Sequence, residues 1–154
     1  MTALRFRGIP STLADEVRTT MKSPQYGHPA HRDVATSYGP CRVCLRTFET
    51  GKEERILFTY QPFRDGALPA PGPVFVHSAD CAEYDAAELP ADFRSLPLVF
   101  EGYASRGKML AQEHVGDRNP DVVLAELFRQ GDVEYAHVRN AAVGCFMARV
   151  ERAA

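Results

Sequence analysis

The apolar residues of this 154-residue chain fall in short runs separated by turn formers, and this punctuation constrains the fold more than any other feature. Leu4-Arg5-Phe6-Arg7-Gly8-Ile9 alternates apolar and polar side chains like an edge strand and stops at Pro10. Two runs, residues 42–48 and 55–60, flank the polar turn Glu49-Thr50-Gly51-Lys52 and predict a hairpin. Residues 98–103 and 109–115 around Ser105-Arg106-Gly107-Lys108 predict a second hairpin, and residues 133–138 and 145–150 around residues 140–144 a third. A shorter run, Val74-Phe75-Val76-His77, follows the Pro/Gly-rich stretch 65–73 and also reads as a strand.

Helical periodicity is confined to a few places. Asn119 is a good cap, Pro120 suits the first turn, Asp121 complements the dipole, and Val123, Leu124, Leu127 and Phe128 form one apolar stripe before Gly131. These features predict a core-packing helix over about 119–130. Thr12-Leu13-Ala14-Asp15 carries a hydroxyl followed three residues later by an acid, and Leu13, Val17 and Met21 continue one face until Pro24, which predicts a short helix near an edge. Ser78 could cap another brief helix over 81–87, while residues 23–40, with three prolines and two glycines, read as irregular. The fold class is therefore α+β: a mostly antiparallel sheet built from hairpins, one core-packing helix and short flanking helices, expected as a single domain over residues 1–154. No Gly-rich strand-to-helix turn suggests a nucleotide site.

Charge narrows the partners. Eighteen Lys and Arg against 20 Asp and Glu leave a formal charge of -2 with no long run of either sign, so no nucleic acid or anionic lipid partner is expected. No stretch has signal-peptide or membrane-spanning character, which leads us to expect a cytoplasmic protein with a small molecule or another protein as partner. Uncovered sheet edges make a homodimer a further expectation. A chain of this length does not need metal or disulfides merely to stay folded.

The four cysteines must then be explained otherwise. Cys41 and Cys44 have the two-residue spacing of a metal knuckle, and His77 with Cys81 supplies a nitrogen and a sulfur four residues apart, together a Cys3His set suited to zinc. The order of the two pairs resembles that of treble-clef zinc folds, in which the second pair opens a helix. Against this, residues 42–48 read as strand, and in a regular strand Cys41 and Cys44 would point to opposite faces. Buried core thiols and a disulfide or redox pair remain the alternatives.

His137, Asn140 and Cys145 form a second constellation, the residue types of a thiol nucleophile with its base and orienting group acting on a small polar substrate. It requires a register in which His137 and Cys145 share a face of their hairpin, and a slip of one residue separates them. Otherwise Asn140 is a turn former, Cys145 packs and His137 is a sheet histidine. His28 and His31 read as a solvated pair, Glu101, Glu113 and His114 as the solvent face of a hairpin, and Arg106 and Lys108 as its tip.

Several stretches resemble a bacterial family known as domain of unknown function 1203: Gly39-Pro40-Cys41-Arg42, Phe58-Thr59-Tyr60-Gln61-Pro62-Phe63, Gly72-Pro73-Val74-Phe75-Val76-His77, and the closing His137-Val138-Arg139-Asn140-Ala141-Ala142-Val143-Gly144-Cys145 with Ala148-Arg149-Val150. The resemblance implies a stand-alone bacterial domain and supplies no activity, substrate or catalytic residue. It draws attention to Cys41, His77, His137 and Cys145.

Overall fold

The computed structural model describes residues 3–63 and 70–153. All strand pairings are antiparallel and form two sheets. Strands β1 (Leu4–Arg7), β5 (Asp85–Ala86), β6 (Leu98–Tyr103), β7 (Met109–His114), β8 (Tyr135–Asn140) and β9 (Phe146–Arg152) make a six-stranded sheet in the order β5-β1-β9-β8-β6-β7. Strands β2 (His31–Val34), β3 (Glu54–Tyr60) and β4 (Gly72–His77) make a three-stranded sheet in chain order. With helices α1 (Ser11–Thr20) and α2 (Pro120–Phe128), this is the expected α+β architecture dominated by sheet.

The large sheet is built on cross-strand rows. Phe6, Val150, Ala136 and Gly102 pair successively across four strands, and Phe100, Val138 and Ala148 across three, giving one apolar face. Helix α2 lays Val123, Leu124, Leu127 and Phe128 on that face, where they join the same buried cluster. Asn119 caps α2 as its residue type predicts, Oδ1 accepting from the Asp121 N–H at 2.9 Å. Gly102 makes room for the helix, since a Cβ there would come within 3.0 Å of a Leu127 methyl.

The opposite face is aromatic and charged: Tyr103 pairs with Tyr135, and Glu101 pairs with His137, which pairs in turn with Arg149. Glu101 does not lie on a solvent face as predicted. It is 7% exposed and accepts from Tyr103 Oη at 2.8 Å, Gln112 Nε2 at 2.9 Å and Arg139 Nε at 2.6 Å, so three donors replace the water a buried carboxylate loses. An open cleft of about 800 Å³ lies over this network, with Phe63, Val99 and Met109 among its walls.

A second buried cluster unites the small sheet, through Ile56, Phe58, Val74 and Val76, with Ala14 and Val17 of α1. Four local predictions fail here. The stretch 23–40 contains β2, because an antiparallel partner in β3 gives its backbone a ladder. Thr12 does not cap α1: the helix begins at Ser11, whose N–H donates to Glu83 Oε1 at 2.6 Å, a cap supplied from a distant segment. Residues 42–48 are not a strand, and the helix expected over 81–87 is absent; the chain there is extended and forms β5. The last two corrections shape the site described next. Of the predicted Pro/Gly-rich stretch, residues 65–69 lie outside the described residues.

Candidate metal centre

Residues 41–44 form a turn, not a strand, closed by a hydrogen bond from the Leu45 N–H to the Cys41 carbonyl at 2.9 Å. Leu45 takes the left-handed conformation at φ 61, which turns the chain back so that the Cys41 N–H reaches the Arg46 carbonyl at 2.9 Å. In a knuckle of this shape the two cysteines of the pair can face one point. The turn is anchored on three sides: Ile9 N–H donates to the Arg42 carbonyl at 2.7 Å, Tyr84 N–H to the Val43 carbonyl at 2.9 Å, and Arg42 N–H to the Phe75 carbonyl at 2.9 Å.

The last of these contacts brings the knuckle to β4, whose final residue is His77, and Cys81 follows in the coil after it. The ligand atoms of Cys41, Cys44, His77 and Cys81 all lie within 4.8 Å of one another. Cys41 Sγ is 3.8 Å from Cys81 Sγ, and Cys44 Sγ is 3.5 Å from His77 Nδ1. Bonds of about 2.3 Å to sulfur and 2.0–2.1 Å to nitrogen at a tetrahedral ion give S···S and S···N edges of about 3.8 and 3.6 Å, so both distances fit the zinc polyhedron. All four cysteines of the chain are free thiols, and 3.8 Å is far beyond the roughly 2.05 Å of a disulfide.

The surroundings suit negative charge on sulfur. His77 N–H and Val43 N–H donate to Cys41 Sγ at 3.2 and 3.5 Å, and Arg18 Nη2 lies 3.6 Å from Cys81 Sγ. Burial opposes ionisation of Cys41, but hydrogen bonds from Cys44, Cys81 and His77 outweigh it and hold that thiol well below its ordinary value. Cys44 is pushed up, by its hydrogen bonds to Cys41 and Cys81 and by burial, as expected when neighbouring sulfurs share protons. Burial also opposes protonation of His77, yet Cys41, Cys81 and Glu53 raise it to about 10. A cation at the centre would take over the role these protons play.

Glu53 and Arg18 were not foreseen from the sequence. Glu53 Oε2 lies 2.8 Å from His77 Nε2, the ring nitrogen turned away from the sulfurs, with the oxygen standing off the line of the N–H bond. A carboxylate behind a ligating histidine is the usual outer partner of such a site. The only available signal for it was that chemical requirement, since nothing in the spacing marks Glu53. The helix expected over 81–87 does not form, and the positive group beside Cys81 is Arg18 of α1.

The second constellation is distributed differently. His137 pairs with Arg149, but the register slips at a bulge after Val138, so that Arg139 faces Phe146 and Asn140 N–H donates to the Cys145 carbonyl at 3.0 Å. Cys145 thereby stands opposite Asn140, on the face of the hairpin away from His137. Asn140 Oδ1 accepts from the N–H groups of Ala142 and Val143 and closes the turn. His137 is wholly buried, its ring 4.8–5.5 Å from those of Phe63, Tyr103, Tyr135 and Phe146. His28 and His31 are exposed, and among the described residues the one metal-capable cluster is Cys41, Cys44, His77 and Cys81.

No helix among the described residues is long and apolar enough to cross a membrane. No curated protein and no solved structure matches the chain. A family model described as "Protein of unknown function (DUF1203)" matches residues 39–152, a span that includes Cys41, Cys44, His77 and Cys81 and the whole β8–β9 hairpin. The chain belongs to this family of unknown function.

Proposed function

We propose that the protein is a small binding or accessory domain whose Cys41, Cys44, His77 and Cys81 hold a structural zinc ion. The observation that carries this reading is the pair of ligand edges, 3.8 Å between the sulfurs of Cys41 and Cys81 and 3.5 Å between Cys44 Sγ and His77 Nδ1. Three thiolates and an imidazole complete a tetrahedron and leave no open position for substrate, which is the pattern of a structural rather than a catalytic zinc. The ion ties together three segments with little secondary structure of their own: the knuckle, the end of β4 and the coil carrying Cys81. Its work is to shape that corner, since of the buried cluster under α2 only Leu45 comes from the knuckle. The open cleft on the other face of the large sheet supports the binding part of the reading.

Metal analysis of protein purified without added zinc tests the proposal. One zinc per chain, lost in Cys44→Ser and Cys81→Ser variants, is the expected result, and a substoichiometric content in the parent protein overturns it.

A further inference from the structure

Arg42 sits in the middle of the knuckle and is 6% exposed, yet among the described residues no carboxylate meets it. Its Nε donates to the Phe146 carbonyl at 2.8 Å and its Nη1 to the Pro40 carbonyl at 2.6 Å, while Nη2 has no protein acceptor among the described residues. Two carbonyl dipoles orient a guanidinium but do not cancel its charge, and buried charges are ordinarily paired. Cys41 and Cys145 attract the guanidinium only through space, with no hydrogen bond to it; the arginine that hydrogen-bonds to sulfur is Arg18, at Cys81.

Arg42 lines a cavity of about 120 Å³ where the two sheets meet beneath the β8–β9 turn, together with Ser37, Tyr38, Arg55, Asn140 and Cys145. No Asp or Glu lines it among the described residues. The charge of Arg55 is already answered by Asp33 at 2.9 Å, so the cavity keeps the single positive charge of Arg42. Asn140 spends its oxygen on the turn, and its Nδ2 is a second donor with no protein acceptor among the described residues. A cavity with one net positive charge, two unused donors and no acidic side chain is complementary to a small anion that accepts hydrogen bonds.

We infer that this cavity is a binding site for a small oxyanion, held by Arg42 Nη2 and Asn140 Nδ2. Its volume admits a tetrahedral oxyanion or the carboxylate of a short organic acid and is too small for a nucleotide. The site is separate from the zinc reading, since none of Cys41, Cys44, His77 and Cys81 lines the cavity. Cys145 lines the cavity and serves as a reporter of occupancy.

The test uses the full chain as purified, at neutral pH, comparing sodium phosphate, sulfate and acetate with sodium chloride at equal ionic strength. Thermal unfolding and the rate of iodoacetamide labelling at Cys145, read by peptide mass spectrometry, are the two measurements. The expected result is a saturable rise in unfolding temperature beyond that in chloride, with Cys145 labelling slowed at least about threefold at saturation. A larger response to phosphate and sulfate assigns a tetrahedral oxyanion, and a larger response to acetate assigns a carboxylate. Asn140→Asp keeps the oxygen that caps the turn and puts negative charge in the cavity, so both responses are expected to vanish; Cys145→Asp serves for thermal unfolding if that variant does not fold. Responses no greater than those to chloride, or equal responses in parent and variant, overturn the inference.

Discussion

Glu53 and His77 meet across the start of β3 and the end of β4, with Glu53 Oε2 2.8 Å from His77 Nε2 while Nδ1 of the same ring faces Cys44. The carboxylate is itself held, Oε1 accepting from the Glu49 N–H at 2.8 Å with Arg46 nearby at 3.5 Å. Burial alone would raise Glu53, but the Glu49 N–H, Arg46 and His77 together keep it below the ordinary carboxylate value. A fixed, ionised carboxylate behind the ring favours the proton on Nε2 through its charge and so leaves Nδ1 to a metal.

Replacing Glu53 by Gln is therefore expected to weaken zinc binding about 10–100-fold while leaving all four ligands in place. Competition with a chromogenic chelator measures this directly. An unchanged affinity in Glu53→Gln would mean that the contact does not tune the site.

Removing the metal is expected to act locally. A ligand present at about 1,000 times its Kd contributes about 4 kcal/mol of apparent stability, so a strong chelator should lower the unfolding temperature by a corresponding amount. Hydrogen exchange should accelerate at the Ile9 and Tyr84 amides, which donate to the knuckle carbonyls, while amides of β8 stay protected beneath α2. Uniform loss of protection across both clusters would refute a local role.

What the sequence showed and hid has a physical basis in these same residues. Helix α2 and the strands of the large sheet other than β5 are legible because their signals are local: Asn119 caps, the stripe from Val123 to Phe128 repeats with helical period, and Arg106-Gly107 turns with both residues at positive φ. The knuckle was misread because its decisive residue, Leu45 at φ 61, is a type that rarely adopts that conformation. The spacing Cys41-x-x-Cys44 was seen, but the turn that makes it useful is imposed by contacts from Ile9, Phe75 and Tyr84, which are remote in sequence. Glu101 and Glu53 were missed for the same reason. Alternation along one strand predicts a solvent face, whereas the partners that bury Glu101 come from β7 and β8.

Gly8 offers a test of how tightly that corner is built. A Cβ at this position would overlap the Val43 carbonyl oxygen and stand 2.8 Å from that of Arg42, both of them backbone atoms of the knuckle. Gly8→Ala must therefore displace either β1 or the metal-binding turn, and overpacking of this kind costs about 1–3 kcal/mol. Chemical denaturation should show that loss, accompanied by weaker zinc binding. Full stability with unchanged zinc affinity would contradict the close packing of Gly8 on the knuckle.

The acid limb of stability should depend on Arg7. Its Nη1 lies 2.8 Å from Glu151 Oε1 and its Nη2 3.1 Å from Asp85 Oδ2, bridging β9 and β5 across β1. Burial would raise Glu151, but Arg149 and Arg7 outweigh it and hold its carboxyl below the ordinary value; hydrogen bonds from Arg5 and then Arg7 lower Asp85. A carboxylate whose pKa is depressed on folding contributes stability that is fully present above its unfolded value, about 4, and is lost as pH falls through the lower folded value. Arg7→Gln moves both folded values back toward the unfolded ones and removes part of that contribution. The parent should thus exceed Arg7→Gln in unfolding temperature at neutral pH, and the gap should close as pH falls below about 4. All three side chains are partly exposed, so added salt should also narrow the gap at neutral pH. A gap that persists unchanged at pH 3 would show that Arg7 acts through packing of its aliphatic stem and not through the two carboxylates.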